Sequence, residues 1–414
     1  MSDLRAVYDI LTDVYRQGAY ASLALSRRVD HAVNRDFVTR FVYGVLARDT
    51  ELEYYIGAMV AKKPRGGVAI LLKMGMYCVL YMDSVPDYAA VNNTVELAKE
   101  VGKRASSGFL NGVLKAFCKK RPELPAEKTA RLSVTASVPL GLVKKYVKQY
   151  GWEKTYEFLT AVPEEREHMR VDVSRVSMKE MCERLEKLGV EYAPDPDLED
   201  ALFVRNSPKL KELYDQGYFT WQSKCSMLCC RAAGLVGGEK VLDMCAAPGG
   251  KAVYLASLAD GVCVTACDIY HHRLQLIQSY SARMRRPIDV RLMDATAPAK
   301  EMYGAYDVVL CDVPCSNFGV AAKKPDVYLS KDAAAAASLA AVQYKILCNG
   351  ARCVKEGGKV VYSTCTLLKE ENGDIVKRFL KEHREFVSEG EKQYFPDGSG
   401  MDGFFVCVLR RKGL

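Results

Sequence analysis

Two cysteines, Cys315 and Cys365, follow short apolar runs that read as buried strands, Asp307 to Cys311 (DVVLC) and Lys359 to Ser363 (KVVYS). A third such run, Lys240 to Met244, leads into Cys245-Ala246-Ala247-Pro248-Gly249-Gly250-Lys251, a glycine-rich turn that opens a helix. In an open α/β sheet, ligands bind beyond the carboxyl ends of the strands, so these segments bring two thiols and a ligand turn to one rim. Gly249 and Gly250 allow close backbone approach, but their spacing is not the G-x-G-x-x-G of pyrophosphate sites. Asp268 ends the next strand, where a carboxylate can accept both hydroxyls of a ribose. Asp294 follows the third strand and can meet an adenine edge; Asp312 follows the fourth. A single acid after a strand is as often a helix N-cap. Successive strand ends carrying a glycine turn or an acid suit a nucleoside ligand without phosphates, and S-adenosylmethionine is the candidate.

The thiols add a specific chemistry. The C5 carbon of cytosine is too weak a nucleophile to attack a methyl sulfonium directly. A thiolate added to C6 turns C5 into a carbon nucleophile, which is covalent catalysis by an activated cysteine. Positive charge from Lys251 and from the sulfonium would favour the thiolate. A second cysteine can help release the product, and Asp312 can meet the Watson–Crick edge of an extruded base or the cofactor amine. The residues themselves do not choose between Cys315 and Cys365 as attacker. Cys263 and Cys311 lie within strand patterns and read as small buried residues. Cys225, Cys229 and Cys230 share one helical stretch without a C-x-x-C partner, so no metal site is expected.

The elements that must position these residues follow from pattern. With 414 residues, 49% hydrophobic and 27% charged, the chain has room for two or three globular domains. Fifteen cysteines without a secretory leader read as thiols in a reducing, cytoplasmic setting. The apolar stretch Val68 to Met82 is interrupted by Lys73 and is too short to span a bilayer. A net charge of +8 permits a nucleic-acid partner without requiring one. Residues 1–130 show helical periodicity, with basic corners at Lys62-Lys63-Pro64-Arg65, Lys103-Arg104 and Lys119-Lys120-Arg121. Residues 131–235 read as linker helices and a small α+β insert with a βαβ character: strands at His168–Val173 and Ala201–Asn206, and a helix from N-cap Ser177 to Gly189. Residues 236–414 alternate strand and helix, the pattern of a doubly wound, mostly parallel sheet. The run Gly403 to Arg411 is expected to pair antiparallel at one edge.

Three segments, VLDMCAAPGGK, CDVPCSNFGV and VVYSTCTLLKEENGDIV, resemble the motifs of the Nol1/Nop2/Sun family of RNA cytosine-5 methyltransferases. FVYGVLARD and VNNTVELAKEVGKRASSGFLNGVLKAF resemble a NusB-like RNA-binding domain. The resemblance implies an all-α NusB-like N-terminal domain, a small α+β insert, and a C-terminal α/β Rossmann-like S-adenosylmethionine-dependent methyltransferase domain. It implies Cys365 as the nucleophile and Cys315 as the residue assisting release. It also implies Cys245 to Lys251 with Asp268, Asp294 and Asp312 as the cofactor site, and small-subunit (16S) ribosomal RNA as the partner of a monomeric, cytoplasmic enzyme. Transfer RNA, another RNA, or a non-catalytic role in ribosome assembly stand as alternatives. Four positions depart from the family's usual pattern: Asn317 replaces glycine, Asp172 replaces asparagine, Ser223 replaces aspartate, and Gly141 replaces tryptophan. Lys323 and Lys324, with Lys144, Lys145, Lys148 and Arg170, are candidate phosphate contacts.

Overall fold

The computed structural model describes residues 3–29, 32–162, 164, 166–330 and 333–413. They form two compact units, one of residues 1–160 with 321–331 and the other of 161–320 with 332–414. The first unit is helical. Helices Asp3–Gln17, Arg35–Ala47, Gly67–Tyr81, Asp87–Glu100 and Ser107–Lys119 carry its core, where Val7, Ile10, Leu11, Val38, Leu71, Leu114 and Phe117 are buried. Lys73, which interrupts the apolar stretch, is buried too. It is satisfied by Asp49 at 2.6 Å and Glu53 at 2.8 Å, as a buried charge must be. No helix among the described residues is long and apolar enough to cross a membrane.

Helices Lys128–Thr135, Leu140–Tyr150 and Trp152–Thr160 pack with this unit, whereas the sequence grouped 131–160 with the insert. The reason is local: the Ser137 hydroxyl accepts from Thr50 N at 3.1 Å, tying the turn after the first of these helices to the domain. The segment 321–331 also belongs here. Asp326 accepts from Ala21 N at 3.0 Å, and Tyr328 packs beside Leu132, Val138 and Val143.

In the second unit, strands β1 (Glu167–Val171), β2 (Tyr192–Pro194), β3 (Ala201–Val204) and β4 (Phe219–Trp221) make a small sheet in the order β2-β3-β1-β4. Every pairing in it is antiparallel, so β1 and β2 run the same way on either side of β3, and the helix between them makes a split βαβ crossover. The helix between β1 and β2 runs Met178–Leu188. Ser177 accepts from Glu180 N at its start, and Gly189 sits in the left-handed region at its end, as its sequence signals required.

The larger sheet contains β5 (Lys240–Asp243), β6 (Cys263–Asp268), β7 (Asp289–Leu292), β8 (Tyr306–Asp312), β9 (Val354–Thr364), β10 (Phe386–Tyr394) and β11 (Phe404–Arg411). Their order is β10-β11-β9-β8-β5-β6-β7. Strands β5 to β9 pair in parallel, and β11 joins β9 antiparallel. The central strands are apolar because helices cover both faces: Val309, Val360, Val361, Leu242 and Tyr362 are fully buried. Strand β11 is not the edge; β10, absent from the sequence reading, lies outside it. Cys311 is buried as expected, but Cys263, the first residue of β6, is exposed.

Candidate active site

The parallel register of β8 and β9 sets Asp312 opposite Ser363, whose hydroxyl donates to the Asp312 carboxylate at 2.8 Å. Three residues beyond Asp312 comes Cys315, and two beyond Ser363 comes Cys365. Their sulfurs lie 3.2 Å apart. A network of buried polar groups beneath them fixes the two loops. Glu371 accepts from Ser316 N at 2.9 Å and from Gln343 Nε2 at 2.8 Å, while Gln343 also donates to Pro314 O at 3.0 Å. The Ser316 and Thr366 hydroxyls share a hydrogen bond of 2.7 Å, and Gly319 N donates to Cys365 O at 3.0 Å. Unpaired polar groups in such a place would each cost about 1–3 kcal/mol, so the network specifies one loop conformation.

Cys315 is buried and its thiol is held well above the usual range, first by the hydrogen bond with Cys365 and then by desolvation. The Cys315 thiol is therefore neutral at physiological pH. Asn317 supplies a further polar atom at the thiols: its Oδ1 lies 2.7 Å from Cys365 Sγ and 3.6 Å from Cys315 Sγ. Lys251, expected to favour a thiolate, is instead paired with Asp312 at 2.8 Å. Burial works against the Lys251 charge, but Asp312 outweighs it and holds the ammonium above its ordinary range.

The glycine-rich turn connects β5 to the helix Gly250–Leu255. Gly249 has φ +110°, and a Cβ there would stand 3.2 Å from Ile277 Cα, so a larger residue meets both strain and crowding. Ala246 N donates to Cys267 O at 2.8 Å, which anchors the turn to β6. Arg273, on the helix His271–Met284, donates to Ala247 O at 3.1 Å and pairs with Asp268 at 3.0 Å. It thus joins the turn to the strand-end acid. Cys245 is a half-buried thiol whose pKa desolvation pushes well up. Asp294 is exposed and accepts from Thr296 N at 2.8 Å, closing its own turn. Asp243, at the end of β5, has one carboxylate oxygen accepting from Cys245 N at 3.3 Å and the other without a hydrogen-bond partner. Burial, joined by repulsion from Asp312, pushes this carboxyl up to about 7 against the pull of Lys251.

Sequence reasoning missed Glu371, Gln343, Arg273 and Asp243. Glu371 stood inside the segment that follows Cys365, but nothing local marks it as buried. The sequence reads Arg170 as a candidate phosphate contact and Asp172 as a departure from the family pattern. Arg170 is buried, with its guanidinium over the Tyr254 ring at 4.4 Å. Asp172 is buried and paired with Arg286 at 3.0 Å. Ser223 accepts from Ser226 N and caps the helix Lys224–Arg231, a service an aspartate would perform equally. Among the described residues no group of three or more His, Cys, Asp or Glu side chains could hold a metal ion.

The Probable ribosomal RNA small subunit methyltransferase B of Bacillus subtilis (strain 168) is 32% identical over 410 residues, spanning 92% of this chain and 91% of that protein. The chain belongs to this methyltransferase family. Residues 234–410 match the family described as 16S rRNA methyltransferase RsmB/F, and residues 2–119 match the NusB family. The crystal structure of PH0851 shares the fold, with a TM-score of 0.83 and 21% identity, covering 98% of this chain and 99% of that one. The structure of NSun6 from Pyrococcus horikoshii with SFG covers 65% of this chain and 97% of its own, with a TM-score of 0.57 and 20% identity. The all-α NusB domain and the Rossmann-like methyltransferase domain expected from the sequence are thus present. Members of the RsmB/F family are S-adenosylmethionine-dependent RNA methyltransferases.

The residues present fit that cofactor. Four carboxylates (Asp243, Asp268, Asp294 and Asp312) stand at or just beyond the ends of adjacent strands, against the two cations Lys251 and Arg273. Asp312 and Asp268 both raise the Asp243 pKa, so these acids share one field. A site with excess negative charge and an unpartnered buried carboxylate oxygen suits a ligand bearing a sulfonium and an ammonium group.

Proposed function

We propose that this RsmB/F-family protein methylates C5 of a cytosine in 16S ribosomal RNA through a covalent bond between Cys365 and C6. The observation that carries the reading is the pair of thiols 3.2 Å apart beyond two adjacent parallel strands, in the same unit as the glycine-rich turn Cys245–Lys251. Bound S-adenosylmethionine would supply an electrophilic methyl group, held by the Cys245–Lys251 turn with Asp268 at the ribose, Asp294 at the adenine and Asp312 nearest the reacting end. Cys365 is the nucleophile. Its thiolate forms the S–C6 bond, and the electron pair displaced from C5=C6 makes C5 nucleophilic. After C5 gains the methyl group, the C5 proton passes to a base. Its electron pair restores C5=C6, and the Cys365 sulfur leaves with the pair of the S–C6 bond. Neutral Cys315 is placed to donate its S–H to that departing sulfur. Asp312, held by Lys251 and Ser363, is positioned as an acceptor for a base edge. Arg16, Arg65 and Lys103 line a cleft of about 670 Å³ on the helical unit, which suits phosphate contacts.

The test is methyl transfer to free 16S ribosomal RNA by wild-type and Cys365→Ala protein, followed by bisulfite mapping. One protected cytosine with the wild-type protein, and a loss of at least about 10³-fold in rate for the variant, is the expected result, the scale lost when a covalent nucleophile is removed. Comparable activity in the variant rejects Cys365 as nucleophile; protection only in transfer RNA rejects the substrate.

A further inference from the structure

The side chain two residues past Cys315 is not explained by the proposed chemistry. Asn317 has φ +61°, in the left-handed region that glycine enters freely and that asparagine tolerates better than other side chains. The loop around it is held on both sides, by Ser316 on Glu371 and Thr366 and by Gly319 N on Cys365 O. Its Cα is therefore fixed relative to Cys365, and its amide reaches the sulfur at 2.7 Å. Glycine would satisfy the same backbone and leave the sulfur without this contact.

We propose that Asn317 is a positioning residue for the Cys365 thiol, accepting from it while it is protonated and donating to it once it is ionised. A carbonyl oxygen beside sulfur accepts S–H but repels S⁻. The terminal torsion of an asparagine is broad and two-fold, so a half-turn replaces Oδ1 with Nδ2–H at nearly the same place. Neutral Cys315, at 3.2 Å, is the second donor to the ionised sulfur. The amide keeps the sulfur aimed in both states, without charge of its own. This inference rests on Cys365 being the nucleophile.

The experiment is alkylation of Cys365 by iodoacetamide in the full-length protein without RNA, followed by mass spectrometry, for wild type, Asn317→Gly and Asn317→Asp. Asn317→Gly keeps the left-handed turn without strain but removes the amide. Its alkylation near neutral pH is expected to slow about tenfold, the scale of one hydrogen bond to a charged group. Asn317→Asp, which can only accept, is expected to slow more. Both deficits should shrink as the pH is raised into the alkaline range, where any thiol ionises without help from a neighbour; a purely structural effect would persist at every pH. The titratable groups at this sulfur and beneath its loops, Cys315 and Glu371, are present in all three proteins and cancel. Wild-type alkylation in Asn317→Gly overturns the proposal. Failure of the nucleophile assignment is separate: full methyl transfer by Cys365→Ala with the alkylation differences intact would leave Asn317 acting on a thiol that does no chemistry.

Discussion

At 3.2 Å the Cys315 and Cys365 sulfurs share one environment, and a charge on one is felt at the other. The hydrogen bond and burial that keep Cys315 neutral make it a donor toward Cys365 rather than a competing attacker. Removing it should leave the S–C6 bond able to form but slow to break. Cys315→Ala is therefore expected to accumulate a covalent protein–RNA complex, visible as a retarded band on denaturing gels; free RNA and normal turnover would refute the release role. Asp243 offers a second test at this scale. Its folded pKa of about 7 lies above the unfolded value of about 3.9. A raised pKa means that the folded state holds the proton more tightly, so the contribution to stability is full below pH ~4 and is lost as pH rises through 7. A shift of three units corresponds to a change on the order of 4 kcal/mol. Asp243→Asn, which keeps an acceptor for Cys245 N, should flatten the fall in urea midpoint between pH 5 and pH 8. An equal fall in both proteins would show that Asp243 is not the group responsible.

Among the elements, the two thiol loops depend on one close approach. Gly319 O accepts from Gly403 N at 2.8 Å, and a Cβ on Gly319 would fall 1.9 Å from Gly403 O. No side chain can move to relieve a contact between backbone atoms. Gly319→Ala is expected to cost about 1–3 kcal/mol, as overpacking does, and to lower methyl transfer at least tenfold by displacing Cys315 from Cys365. Unchanged melting temperature and activity would contradict the clamp. The strand ends were legible because inner parallel strands are short apolar runs, such as Val308-Val309-Leu310 and Val360-Val361, followed at once by polar or glycine residues. Strand β10 was not, because FVSEGEKQY is an edge strand that is mostly exposed and polar, with no apolar face to announce it. Strand β4 is three residues long and too short to show a period. The site residues were legible where they stand next to a strand end. Glu371 and Gln343 were not, since their role depends on burial beneath loops contributed by other elements. Arg170 looked like an RNA contact for the converse reason: a basic residue in a strand reads as surface until its neighbours are known.

For the whole molecule, the helical unit is completed by chain from far along the sequence. Helix Ala21–Arg28 follows Tyr20, which offers no capping side chain, and the carboxylate of Asp326 takes that role by accepting from Ala21 N across 305 positions. A carboxylate also complements the positive end of the helix dipole. No periodicity or local motif could signal a contact of that separation, and the sequence reading had assigned Lys323 and Lys324 to phosphates beside the target base. They are exposed, in a segment whose Asp326, Tyr328 and Leu329 are committed to the helical unit. Asp326→Ala should therefore destabilise the helical unit by about 1 kcal/mol, the usual cost of losing a cap. For a unit of this size that is a drop of roughly 2–4 °C in its melting transition. Asp326→Asn keeps an acceptor oxygen and should fall between the two. Limited proteolysis gives the sharper reading. A segment held by the cap and by packing is cut only when it detaches, so cleavage within 321–331 should accelerate in Asp326→Ala about fivefold, the factor that 1 kcal/mol implies for a locally opened state. Equal cleavage rates in wild type and variant would mean that Asp326 does not hold this segment in place.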